Sequence, residues 1–212
     1  MIAVPGWAGT PAALQKMLAY LPSDPDDDEQ AYAVADAWWP PSPMAVPLDV
    51  CDRVLKAASE VGGTVLLGRT GREYFDAPVD PADLDAVCGR FLAANALWWR
   101  FDIVRWEVAV KQYVTGESYP PHIDIIPGAT RRRLVGIVQL SEPDAYRGGE
   151  LRIHFAQHTF TGPRARGSLI SLPAWTEHEV TRVTAGERWV LLVGGNITGR
   201  APVPDGAESP TG

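Results

Sequence analysis

From about Phe101 the apolar residues of this chain begin to recur at every second position. Val104, Trp106, Val108 and Val110 alternate with Arg105, Glu107 and Lys111. A period of two is the pleat of a half-buried strand, not the face of a helix. Further strands are expected near 134–140, 150–155, 168–172 and 188–194, with Gly- and Pro-rich turns between them. Many short strands punctuated in this way point to a sandwich or a double-sheet jelly roll.

The first half carries the other period. Thr10-Pro11 predicts an N-cap and a first-turn proline for a short helix over about 10–20. Residues 22–30, with Asp24, Asp26, Asp27, Asp28 and Glu29, read as a solvated acidic loop. Trp38-Trp39-Pro40-Pro41 cannot lie within a helix, because proline removes a donor and restricts the residue before it. Val50, Val54, Leu55, Ala58 and Val61 predict a helix over about 48–61, ended by Gly62-Gly63. Asp80-Pro81 opens another, with Leu84, Val87, Cys88, Phe91 and Leu92 on one face. These helices are expected to cover one face of the sheet. The organisation that follows is a mainly helical support over 1–98, a β core over 99–198, and a disordered tail of Pro, Gly, Ala and Ser over 199–212.

Hydrophobic residues make up 46% of the 212, enough for a substantial core. No apolar run approaches the roughly 20 residues that span a bilayer, so no membrane partner is expected. The first ten residues lack a basic region followed by an apolar stretch, which argues against a signal peptide. Cys51 and Cys88, the only two cysteines, read as small buried hydrophobes in helices. Both observations favour a reducing cytoplasm. A net charge of −7 disfavours nucleic acid as the main partner.

Four histidines are the scarce resource. One stands in Pro121-His122-Ile123-Asp124. On an extended segment, residues i and i+2 point to the same side about 7 Å apart, so an imidazole and a carboxylate there can converge on one ion. Another stands in Pro173-Ala174-Trp175-Thr176-Glu177-His178, between two apolar strands. Arg188 follows ten residues later, and alternation sets it on the same face as Val190 and Leu192. A charge among aliphatics needs a partner, and the carboxylate of a bound ligand would serve. Two His and one carboxylate, with one side of the metal open, form the facial triad of non-haem Fe(II) oxygenases.

From about Trp98 to Asn196 the chain resembles the prolyl-4-hydroxylase-like branch of the Fe(II)/2-oxoglutarate oxygenases, which includes bacterial PKHD-type hydroxylases. The matching pieces are Tyr113-x-x-Gly116-x-x-Tyr119-x-x-His122-x-Asp124, Gly148-Gly149-Glu150-Leu151, Gly167-Ser168-Leu169, Pro173, His178-x-Val180 and Gly186-x-Arg188, in this order. The resemblance implies a mainly β fold with flanking helices around a double-stranded β-helix (jelly-roll, cupin-like) core. It implies that His122, Asp124 and His178 bind Fe(II), and that Arg188 holds the far carboxylate of 2-oxoglutarate. Tyr113 would touch 2-oxoglutarate, and Tyr119 would face the substrate. The implied reaction is hydroxylation of an unactivated C–H bond with dioxygen, releasing succinate and carbon dioxide. The implied substrate is an amino acid residue, free or in a peptide, of proline-like type. A zinc hydrolase with the same triad and a non-catalytic metal-binding jelly roll are the alternatives. Many relatives have a hydroxyl on the strand where this chain has Val138 and Gln139, which leaves the second partner of the cosubstrate carboxylate open.

Other polar and aromatic residues carry weaker expectations. His154 and His158 read as surface histidines. Trp175 lies in a loop that either rims the site or packs on the helical layer. Arg131-Arg132-Arg133 makes a positive spot near the mouth, with Arg131 a candidate for contact with an anionic substrate.

Overall fold

Helix gives way to sheet at Arg100–Phe101, where the period of the sequence changes. The computed structural model describes residues 46–69, 76–125, 132–155 and 158–197. The expected helix over 10–20, the acidic loop over 22–30, the Trp-Trp-Pro-Pro stretch, Arg131 and the tail over 199–212 lie outside the described residues.

Helix α1 is Leu48–Ser59 and buries Val50, Cys51, Val54 and Ala58. Strand β1 is Thr64–Arg69. Helix α2 is Pro81–Ala94, opened as expected by Asp80, whose side chain accepts from the backbone of Ala82 at 2.8 Å. Arg53 of α1 grips buried Asp83 of α2 through Nε at 2.9 Å and Nη2 at 2.6 Å, a two-pronged bond that locks the helices together. A π-turn at Asn95–Trp99 follows. Asn95 closes it, donating to Phe101 O at 2.8 Å and accepting from Phe101 N at 3.0 Å. That buried amide is satisfied on both sides, so the chain leaves the helix in one fixed direction.

The remaining strands are β2 Ile103–Val114, β3 Tyr119–His122, β4 Arg132–Gln139, β5 Tyr146–Gly148, β6 Leu151–Phe155, β7 His158–Thr161, β8 Leu169–Pro173, β9 Glu177–Val180 and β10 Val183–Ile197. The larger sheet runs β1-β2-β10-β4-β8, with β5 added on β10. The smaller runs β3-β9-β6-β7. All pairings are antiparallel. The result is the mainly β jelly roll with flanking helices that the sequence implied.

Alternation on β10 divides the interior in two. Leu191 and Val193 join Val108, Val110, Leu134 and Val138 against the helices. Val190 and Leu192 face Val135, Ile137, Ile153 and Leu172 between the sheets. Among the helix-side residues, Phe91 is fully buried, and its ring lies over two glycines. A Cβ at Gly136 would stand 2.7 Å from the ring and one at Gly195 2.9 Å from it, so β4 and β10 are bare where the ring sits. Phe91→Ala is expected to cost about 3–5 kcal/mol of stability, read as a lower urea midpoint at unchanged slope.

Five short strands were not anticipated: β1, β3, β5, β7 and β9. Two of them carry the candidate ligands. Strand β3 includes Pro120 and Pro121, which cannot donate to a ladder, and it survives because it lies at a sheet edge. Both cysteines are free and buried, as expected, and burial pushes the thiols up to about 11 for Cys51 and about 12 for Cys88. No helix among the described residues is long and apolar enough to cross a membrane.

Candidate active site

Strands β3 and β9 pair with His122 directly opposite His178. The rings stand 4.3 Å apart. Asp124 follows on a short extension, held by its own N–H donating to Ala174 O at 2.8 Å. One ligand atom from each of His122, Asp124 and His178 lies within 4.8 Å of the others. Each imidazole sets its Nδ1 at 2.9 Å from a carbonyl two residues earlier, Pro120 O for His122 and Thr176 O for His178. A carbonyl only accepts, so Nδ1 carries the proton and the Nε2 lone pair is left for a metal. His178 Nε2 stands 3.4 Å from Asp124 Oδ2. Burial lowers the pKa of His178, overcoming the hydrogen bond to Thr176 and the field of Asp124, and favours the neutral form that a metal requires.

Arg132 holds the other oxygen of the carboxylate. Its Nη1 lies 3.3 Å from Asp124 Oδ1, and its Nη2 lies 3.3 Å from Glu107 Oε2. Oδ2 is therefore the oxygen turned toward the histidines. Simple alternation would set Arg132 with Leu134, toward the helices. A bulge intervenes: Leu134 pairs with Gly195 but Arg132 pairs with Asn196, so β4 carries one extra residue. Arg132 is thereby turned across Gly194, where a Cβ would stand 2.6 Å from its Nε.

Arg188 lies across the cavity from the triad on β10, only 1% exposed. Its Nη2 donates to Gln139 Oε1 at 3.1 Å, and Tyr146 lies beside it, both side chains approaching Gly149. Its Nε and Nη1 are buried with no partner. A guanidinium with two unmet donors in the interior fits a ligand carboxylate, since leaving such groups unpaired is costly. Tyr113 pairs with Arg188 across β2 and β10, and its ring centre lies 5.5 Å from the guanidinium. Burial pushes its phenol up to about 12, so it stays a neutral donor. Triad, Tyr113 and Arg188 all line one cavity of about 280 Å³.

Other expected residues fall in different places. Tyr119 reaches the cavity with its ring 4.3 Å from that of His122. Trp175 does not reach it. Its ring packs edge-on against Phe101 at 5.7 Å, in the helix-side core. His154 bonds Thr159 at 3.0 Å and lies 3.5 Å from Glu179, away from the triad. His158 begins β7. Three charged residues of the cavity, Arg132, Lys111 and Glu107, escaped the sequence reading. Arg132 was hidden by the bulge. Lys111 was grouped with Arg105 and Glu107 as a solvent face, whereas Glu107, Ala109, Lys111 and Tyr113 face the cavity.

Comparison with known proteins agrees with this geometry. The family profile of the 2OG-Fe(II) oxygenase superfamily matches residues 108–193. A PKHD-type hydroxylase of Shewanella sp. (strain ANA-3) is 40% identical over 82 residues, which cover 36% of this chain and 37% of that protein. The match thus spans little more than a third of that relative's length. A PKHD-type hydroxylase of Caulobacter sp. (strain K31) is 32% identical over 153 residues, 65% of this chain and 67% of that one. Among solved structures, a Pseudomonas putida prolyl-4-hydroxylase superposes with TM-score 0.54 at 21% identity, covering 72% of this chain and 84% of that one. A viral collagen prolyl hydroxylase from Paramecium Bursaria Chlorella virus-1, in a 2OG complex, gives 0.55 at 16% identity, covering 72% and 92%. These structures share the double-stranded β-helix. With the Caulobacter match reaching across two thirds of its relative, the chain belongs to the 2OG-Fe(II) oxygenase superfamily, with PKHD-type hydroxylases as its kin.

Proposed function

We propose that this protein is an Fe(II)- and 2-oxoglutarate-dependent dioxygenase that hydroxylates an unactivated C–H bond of an amino acid or amino acid residue of proline-like type. One observation carries the reading. A His-Asp-His cluster and a buried arginine with two unmet donors share one cavity. The donor set fits the iron: two neutral imidazole nitrogens and one carboxylate oxygen leave half the coordination sphere open. Bound together, Fe(II) and 2-oxoglutarate supply the means of inserting an oxygen atom from dioxygen into a C–H bond, leaving succinate and carbon dioxide.

The residues of the chain do the rest. His122 and His178 are aimed by their backbone carbonyls, and Asp124 by Arg132. Arg188 takes the far carboxylate of 2-oxoglutarate through its free Nε and Nη1, with Tyr113 and Tyr146 beside it. The aliphatic wall of Val135, Ile137, Val190 and Leu192 keeps water from the cosubstrate. A zinc hydrolase would need neither the arginine nor its neighbours.

Succinate release tests the proposal. With Fe(II), 2-oxoglutarate and oxygen, the protein is expected to form succinate, stimulated by a panel of free amino acids and prolyl peptides. Zn(II) in place of Fe(II) should abolish it. Hydrolysis supported by Zn(II), with no succinate formed under any condition, contradicts the proposal.

A further inference from the structure

Lys111 is the charged group of the cavity that the proposed reaction does not use. It stands on β2 opposite Val190, two pairs along from Tyr113 and Arg188 and so on the same face. Its ammonium lies 4.0 Å from the ring centre of Tyr119 and 4.6 Å from that of Tyr113. Tyr119 in turn rests on His122 at 4.3 Å. Two aromatic faces therefore hold the cation beside the metal end of the cavity. Among the described residues it has no carboxylate partner. The acid in its field, Glu117, accepts from Val114 N at 2.9 Å and forms no ion pair with it.

The charges lining the cavity can be matched in turn. Arg132 lies between Glu107 and Asp124. Asp124 and the near carboxylate of 2-oxoglutarate would balance a divalent ion, and the far carboxylate would meet Arg188. Among the described residues that line the cavity, Lys111 is the cation left without an anion, and it is half-buried, with desolvation lowering its pKa. An ammonium in such a place is better satisfied by a ligand than by water.

Resting on the function proposed above, we propose that Lys111 binds a carboxylate of the prime substrate. The substrate then carries a free carboxylate close to the carbon that is oxidised, as a free amino acid does and an internal prolyl residue does not. Tyr113 and Tyr119 hold the ammonium in place before the substrate arrives, which removes part of the ordering cost of binding.

The test uses the protein holding Fe(II) and 2-oxoglutarate without oxygen, and follows the metal-to-ligand absorption band. Free L-amino acids and their carboxamides are the probes. At least one free acid is expected to perturb the band, with its amide weaker by about tenfold or more, the equivalent of about 1.4 kcal/mol. In Lys111→Met that gap should shrink to about threefold or less, while Lys111→Arg keeps most of it, because the effect follows the charge. Affinity for 2-oxoglutarate in Lys111→Met should stay within about threefold of the parent, which also shows that the variant is folded. Amides that bind as well as acids overturn the proposal, as does a panel in which no acid perturbs the band. A loss of 2-oxoglutarate affinity in Lys111→Met as large as that in Arg188→Ala assigns the ammonium to the cosubstrate and overturns it too. Absence of any band with 2-oxoglutarate in the parent is a separate result, in which the functional reading itself fails.

Discussion

Alanine at His122, Asp124 or His178, one at a time, is expected to strip the protein of most of its iron and of all detectable succinate formation. Groups that merely orient a metal ligand change affinity by about 10–100-fold, and removal of a ligand itself should exceed that range. The three changes leave different remainders. His122→Ala removes the ring on which Tyr119 rests. His178→Ala opens a buried position on β9. Asp124→Ala takes one carboxylate partner from Arg132 while Glu107 remains, so a less balanced positive field further opposes a cation. Metal content, measured after loading with Fe(II) under anaerobic conditions, reads all three. His154→Ala is the control. Its ring lies outside the cavity lining and should leave iron content unchanged. Full iron and full activity in any triad variant would remove that residue from the metal site.

Arg188→Ala should act at the other end of the cavity, weakening 2-oxoglutarate while sparing iron. Truncating one partner of a buried, hydrogen-bonded charge pair costs about 2–5 kcal/mol, much of it from the charge left behind. At about 1.4 kcal/mol per tenfold, that is roughly one and a half to three and a half decades of affinity. On the proposed function the metal end would grip any 2-oxo acid, so the arginine would be what distinguishes 2-oxoglutarate from shorter ones. Arg188→Lys should restore only part of the loss, because an ammonium keeps the charge but lacks the planar fork that could offer Nε and Nη1 together. Tyr113→Phe should cost less than Arg188→Ala, since it removes one hydrogen bond and no charge, and a hydrogen bond to a charged group is worth about 1.5–3 kcal/mol. An Arg188→Ala protein that binds 2-oxoglutarate like the parent would place the anchor elsewhere, with Gln139 the next residue to test.

The parts of this site that could be read from sequence are those whose spacing is itself the geometry. His122 and Asp124 stand two apart on extended chain, and Arg188 shares its face with Val190 and Leu192. Alternation on β10 is therefore enough to set the arginine on the cavity face. The helices were legible for the same reason, with Asp80-Pro81 opening α2 where a cap and a first-turn proline belong.

What was illegible depended on departures from strict period or on what faces the polar side of a strand. Arg132 reaches Asp124 because a bulge reverses the alternation of β4 at Arg133, and nothing in Arg131-Arg132-Arg133 marks the middle residue. Lys111 and Glu107 alternate with apolar residues as a solvent face does, and a polar cavity gives the same pattern as bulk water. Trp175 lies three residues before His178, yet the turn between β8 and β9 sends its ring toward Phe101. Strands of three or four residues, such as β3, β5 and β9, are too short to show a period. Their existence is decided by the neighbours they pair with.

The most direct test of the account is a stepwise anaerobic titration of the purified protein, first with Fe(II) and then with 2-oxoglutarate, followed by the metal-to-ligand absorption band. One iron is expected to bind per chain, with no band from iron alone and a band that rises to saturation with 2-oxoglutarate. The band should be absent in His178→Ala, and in Arg188→Ala it should appear only at far higher 2-oxoglutarate. A parent protein that takes up no iron, or that takes up iron and shows no band with 2-oxoglutarate, would contradict the account.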